Sequence, residues 1–144
     1  DLKKRIKIPI VSMPKEVYLH TKKNCRKNSK IGILATEGTL RMGVYSKFFN
    51  KNFAIISPDK SLQIKSVNKS IRFVKMGRIR EAEKAIKPAV NFLMKKKCKK
   101  IILGCTELPI AIFAFKSFRK IKLSKIFLDP NLILATASMK KYKR

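Results

Sequence analysis

Four short apolar runs, separated by stretches with helical spacing, constrain this chain more than any other feature. They are Lys30 to Thr36, Phe53 to Pro58, Lys100 to Gly104 and Lys125 to Pro130. A brief run that is apolar without alternating suits a strand covered on both faces, as in a parallel sheet. Between the runs the period changes. Ile64, Val67, Ile71 and Val74 predict a helix over 60–76, with Gly77 as its stop. Ile86, Ala89, Val90, Leu93 and Met94 mark the apolar stripe of a helix over 79–97, with a kink expected at Pro88. Helices are also expected over 15–28, 40–49 and 131–142, with a short one opening near Thr106. Residues 6–13 read as a short strand or its approach, against Pro9. Strands alternating with helices give an α/β fold, an open parallel sheet with flanking helices.

Ligands of such sheets sit beyond the carboxyl ends of the strands. Three of the predicted strands run there into small polar residues: Thr36 and Thr39, Ser57, and Cys105 with Thr106. The segment Gly104-Cys105-Thr106-Glu107-Leu108-Pro109 is the sharpest. It carries a strand straight into a thiol at a helix start, where free amides and the helix dipole favour thiolate and lower the cysteine pKa. Those amides can also hold a carboxylate, and Gly104 would let the backbone approach a ligand closely. The alternative is that Cys105 is a small buried apolar residue.

The remaining composition excludes more than it assigns. The chain has 144 residues, enough for one domain or one plus a fragment at roughly 100–200 residues per domain. An apolar share of 45% excludes a fully disordered chain. Apolar runs such as Ile110 to Phe115 fall far short of the ~18 residues of a membrane span. The opening Asp1-Leu2-Lys3-Lys4-Arg5 is not followed by an apolar signal region, so a cytoplasmic location and no membrane partner are expected. Cys25, Cys98 and Cys105 do not suit a disulfide scaffold, and with His20 the only histidine they do not suit a metal site. Cys25 and Cys98 read as incidental. The formal charge of +28 raises the question of nucleic acid. Yet 28 of the 36 basic residues are Lys, spread along the whole chain, whereas base-edge and phosphate recognition favours Arg. No nucleic-acid partner is expected.

Two long motifs carry a family resemblance. Ile31 to Thr39, with Tyr45, resembles the second-domain signature of the aspartate/glutamate racemase family. Ile102 to Pro109 resembles its second cysteine motif. Ser57-Pro58-Asp59, Gln63, Lys75 with Gly77, Leu128-Asp129-Pro130 and Ile133-Leu134-Ala135 follow in the family's order. Glu107, standing where glutamate racemases typically carry His, is similar to the aspartate-racemase-like branch.

The resemblance implies one of the two similar α/β domains of that fold and an isomerase that needs no cofactor or metal. Two cysteines would face each other across the alpha carbon of aspartate or glutamate, one removing the proton and the other returning one. Cys105 would be one of them. Thr36, Gly38, Thr39, Lys75, Thr106 and Glu107 would line the substrate pocket, and a homodimer is expected. Lys75, at the edge of its helical stripe, also reads as a solvated surface lysine.

The first domain of the family carries Cys-Asn-Thr, which this sequence lacks, and Ile71 stands where the family often has Tyr. The expected organisation is therefore 1–29 as a connection from a largely missing first domain, 30–124 as the second domain, and 125–144 as a strand and helix that would return to the first. Two other functions stand beside the racemase: an inactive fragment, and a basic RNA-binding protein on an α/β scaffold.

Overall fold

The computed structural model describes residues 10–114 and 125–142. Of the strand predicted over 6–13, residues 6–9 lie outside them, 10–12 form no strand, and Met13 opens a helix instead.

Four parallel strands form one sheet in the order β2-β1-β3-β4. They are β1 (Lys30–Ala35), β2 (Ala54–Ile56), β3 (Lys100–Gly104) and β4 (Phe127–Leu128). The helices, in chain order, are α1 (Met13–Asn24), α2 (Glu37–Arg41), α3 (Ser46–Phe49), α4 (Lys60–Leu62), which continues through a π-helical segment (Gln63–Asn68) into α5 (Lys69–Lys75), α6 (Ile79–Lys95), α7 (Glu107–Phe113) and α8 (Pro130–Tyr142).

The pleat sends alternate side chains of the central strands to opposite faces. Ile31, Ile33 and Ala35 of β1 join Ile102 and Leu128 on one face, beneath Val17 of α1, Tyr45, Phe49 and Phe53, with Ile133 of α8 alongside. Leu34, Ile101 and Leu103 point the other way, into Val67, Ile71, Ile86, Ala89, Val90, Leu93, Leu108 and Ile112. Both faces are covered, so β1 and β3 are continuous apolar runs. Gly32 lets α6 lie close to the sheet: a Cβ there would stand 2.9 Å from Leu93 Cδ1.

Several expected elements come out differently. The run 53–58 forms an edge strand of three residues, with Ala54 exposed and Ile55 and Ile56 half-buried, because only β1 flanks it. The helix expected over 40–49 is two short helices, divided around Gly43 at φ +60. Met94, placed on the α6 stripe, is 40% exposed. Helix α6 runs unbroken through Pro88. The Ser66 hydroxyl bridges that turn, donating to the Ala85 carbonyl and accepting from the Ala89 amide at 3.3 Å.

The helical run beginning at α4 departs most. Asp59 caps it, its Oδ1 accepting from the Leu62 amide at 2.8 Å, and Gly77 at φ +72 ends it. Between these, the π turn inserts an extra residue and rotates the register. Ile64, expected on the apolar stripe, is 49% exposed, while Gln63 and Ser66 are buried.

The sheet order creates a switch point. The crossover from β1 to β2, through α2 and α3, packs on the α1 face; the crossover from β2 to β3, through α5 and α6, packs on the other. The chain thus departs in opposite directions from β1 and β3, and it is beyond the carboxyl ends of such strands that sheets of this kind bind ligands.

Candidate functional site

Ala35 is in register with Gly104, so the residues following β1 and β3 emerge side by side. After β1, Thr36 caps α2: its Oγ1 accepts from the Thr39 amide at 3.3 Å and lies 3.0 Å from the Thr39 hydroxyl. Two hydroxyls and the exposed Gly38 therefore stand at the sheet edge.

After β3 comes a compact polar cluster. The Cys105 thiol donates to Glu107 Oε2 at 2.8 Å, and the Thr106 hydroxyl donates to the same oxygen at 2.9 Å. Lys75, from the end of α5, places its Nζ 3.7 Å from Glu107 Oε1. Helical register thus brings Lys75 to the strand-end cluster, although its side chain remains 66% exposed and the ion pair contributes at most about 1 kcal/mol.

The electrostatics of Cys105 reverse the sequence expectation. Burial, reinforced by the hydrogen bond to the Glu107 carboxylate, pushes the thiol from 9.0 up to about 11. The start of a seven-residue helix does not outweigh a desolvated site with an anion already on the sulfur. The same bond, with help from Thr106 and Lys75, holds the Glu107 carboxyl below its ordinary value. The proton at rest is on sulfur and the negative charge on Glu107.

Gly104 has a packing role. A Cβ there would meet Ala35 Cβ at 3.0 Å and the Tyr45 ring at 3.3 Å. The missing side chain makes room for Ala35 and the Tyr45 ring. Burial, and then the charge of Asp129, pushes the Tyr45 hydroxyl up to about 12.

The other two thiols lie elsewhere. Cys98 precedes β3 and Cys25 follows α1, within electrostatic reach of Lys100 at the strand's start. β3 has five residues, so about 16 Å of strand, at ~3.3 Å per residue, separates that edge from Cys105. Burial raises both of these thiols as well. Among the described residues no group of three or more His, Cys, Asp and Glu could hold a metal ion, and no helix is long and apolar enough to cross a membrane.

Sequence reasoning named Gln63 only as part of the family's order and gave it no place in the site. Gln63, only 4% exposed, donates through Nε2 to the Ala35 carbonyl and to Asn68 Oδ1, both at 2.8 Å. Asn68 in turn donates to Glu37 Oε1 at 2.8 Å. Beside this chain lies an open cleft of about 540 Å³ lined by Glu37, Gly38, Leu40, Arg41, Pro58, Lys60 and Gln63. The stripe Ile64, Val67, Ile71, Val74 does not point to it, because the π turn carries Gln63 inward and Ile64 outward.

Comparison with known proteins follows the same lines. The model of the Asp/Glu/hydantoin racemase family matches residues 1–137. An uncharacterised protein encoded in the pnlA 3′ region of Pectobacterium carotovorum is 31% identical over 113 residues, covering 78% of this chain and 73% of that protein. The glutamate racemase of Carboxydothermus hydrogenoformans is 27% identical over 128 residues, 85% of this chain but 44% of the enzyme. Among solved structures, Picrophilus torridus aspartate racemase superposes with a TM-score of 0.74 at 26% identity, covering 94% of this chain and 53% of that one. An aspartate racemase homologue from Pyrococcus horikoshii shares the fold, with a TM-score of 0.80 at 19% identity over 61% of its length. The chain thus spans about half the length of the racemases it resembles.

Proposed function

The chain belongs to the Asp/Glu/hydantoin racemase family, and from that premise we propose that it carries half of a cofactor-independent proton-transfer site acting on the alpha carbon of aspartate or glutamate. The observation that supports this most is the Cys105 thiol at the carboxyl end of β3, hydrogen-bonded to a carboxylate that Lys75 pairs from the other side.

In this reading Cys105 handles the proton on one face of the substrate. As a thiol it donates its Sγ proton to the carbanion formed when a base on the opposite face has broken the Cα–H bond. The carbanion's electron pair forms the new Cα–H bond, and the S–H pair stays on sulfur, which is left as thiolate. In the reverse direction the thiolate takes the proton and the pair stays on carbon. The raised thiol pKa suits the donor role, and Glu107 is placed to hold the sulfur proton toward one side. Thr36, Gly38, Thr39 and Thr106 would receive the alpha carboxylate, and Lys75 would offset the charge that develops during transfer. No step calls on a metal or an organic cofactor.

The opposite base must come from outside this set, because Cys25 and Cys98 stand at the far edge of the sheet. We assign that base to the family's first domain, and within this chain take 1–29 as the connection, 30–124 as the second domain and 125–144 as the segment returning to the first. We also expect a homodimer. The competing reading is a catalytically inert relative, and the placement of Cys25 and Cys98 away from Cys105 favours it.

Solvent deuterium incorporation at the alpha carbon of L- and D-aspartate separates them. Exchange from one enantiomer only, abolished by Cys105→Ser, is the expected result. No exchange in a chain shown to be folded would leave the inert reading.

A further inference from the structure

Among the described residues, the Gln63 side chain carries a buried polar atom that the proton-transfer site leaves unused. Its Oε1 is buried and has no hydrogen-bond partner among the described residues. An orphaned buried acceptor is uncommon in native proteins and calls for an explanation in water, ion or ligand.

The polarity of the chain fixes what can satisfy it. Glu37 offers only acceptor oxygens, so Asn68 must turn its Nδ2 toward Glu37 and its Oδ1 toward Gln63. The Ala35 carbonyl is also only an acceptor. Both amide protons of Gln63 are therefore committed, and turning the amide over would set oxygen against oxygen twice. The free atom is an acceptor by construction. Donation through both Nε2 protons polarises the amide and makes Oε1 a stronger acceptor than an isolated one.

Position narrows the donor further. Gln63 is tied to the last residue of β1, whose register partner is Gly104, one residue before Cys105. It lies in a π segment, a feature that recurs at functional sites. It also lines the open cleft, where Arg41 and Lys60 stand without a carboxylate partner among the described residues. A ligand that fits brings one strong donor for Oε1 and carboxylate for the two cations. We propose that Gln63 Oε1 receives the alpha-ammonium group of an acidic amino acid, so that the Glu37–Asn68–Gln63 chain is the device that tells an amino acid from a plain dicarboxylate. The proposal rests on the racemase reading for the substrate's class, but it is measured by binding alone.

The test compares L-aspartate with succinate, which has the same carboxylates and no ammonium, by calorimetric titration of the full chain. The wild-type protein is expected to prefer aspartate roughly ten- to hundredfold, the range for a hydrogen bond to a charged group. Gln63→Met, of similar volume and without acceptor or donor, should erase that preference while leaving succinate binding within about twofold. Equal weakening of both ligands would mean that Gln63 only supports the strand end, and would overturn the proposal. So would an unchanged preference, or a folded wild-type chain that binds neither ligand. Should Gln63→Met fail to fold, Asn68→Leu keeps Gln63 but releases its orientation, and must lower the preference in the same direction for the proposal to stand. Alpha-deuterium exchange judges the racemase reading separately. Exchange with an unmoved preference retires Gln63 alone, whereas a Gln63-dependent preference without exchange retires proton transfer alone.

Discussion

Replacing Glu107 by Gln should make Cys105 more acidic, although it removes the charged neighbour usually credited with activating a nucleophile. The Cys105 thiol stands at about 11 instead of 9.0, which leaves roughly one-hundredth as much thiolate at neutral pH. Burial is the larger cause and the Glu107 carboxylate the second. Glu107→Gln keeps the burial but removes the charge, and its amide can donate to sulfur. A fall of about one pH unit is expected, giving about tenfold more thiolate. Because a more acidic thiolate is also about threefold less nucleophilic, the reaction rate at neutral pH should rise only about threefold. The assay is the pH–rate profile of an aromatic disulfide reagent, with the Cys105 mixed disulfide resolved by peptide mass spectrometry from those of Cys25 and Cys98. The midpoint of that profile is the primary readout, since it does not depend on intrinsic nucleophilicity. Lys75→Ala should move it upward by less, because Lys75 favours the thiolate. A midpoint that stays put or rises in Glu107→Gln would show that the bond between Cys105 and Glu107 does not set the proton's position, and the donor role assigned to the resting thiol would lose its basis.

Gly104→Ala should destabilise the protein by about 1–3 kcal/mol in urea titration, because its Cβ would meet Ala35 Cβ at 3.0 Å and the Tyr45 ring at 3.3 Å in a well-packed interior; a neutral result would mean the Tyr45 ring is free to move away. Tyr45 supplies a pH test. Its hydroxyl is raised from 10.0 to about 12 in the fold, so the folded state holds the proton more tightly, and the associated stability is complete below 10 and lost as pH rises toward 12. Tyr45→Phe should therefore flatten the alkaline fall in thermal stability over that window relative to wild type, and an unchanged slope would refute the assignment.

Legibility followed locality. The runs that became β1 and β3 were readable because both faces of a central parallel strand are covered, which leaves a continuous apolar signature. The edge run at 53–58 carries the same signature, yet only three of its residues pair. A strand's place in the sheet depends on which crossovers flank it, and no local pattern encodes that. The stripe Ile64, Val67, Ile71, Val74 fits an ideal helix and failed at Ile64 because one π turn changes the register for everything before it.

The candidate site divides in the same way. The sequence by itself determined that small polar residues and a thiol would stand where strands end, since Thr36 and Cys105 directly follow apolar runs and their placement needs only chain continuity. It also determined the family, because the two long motifs lie within continuous segments. Only the tertiary structure decided which groups meet there. Lys75 reaches Glu107 from a helix more than thirty positions earlier, and Gln63 reaches the Ala35 carbonyl across twenty-eight. The thiol's proton affinity was decided there too. Helix position argued for a lower pKa, whereas desolvation and a neighbouring carboxylate raised it. Both of these are properties of the packed surroundings, which a linear sequence does not specify.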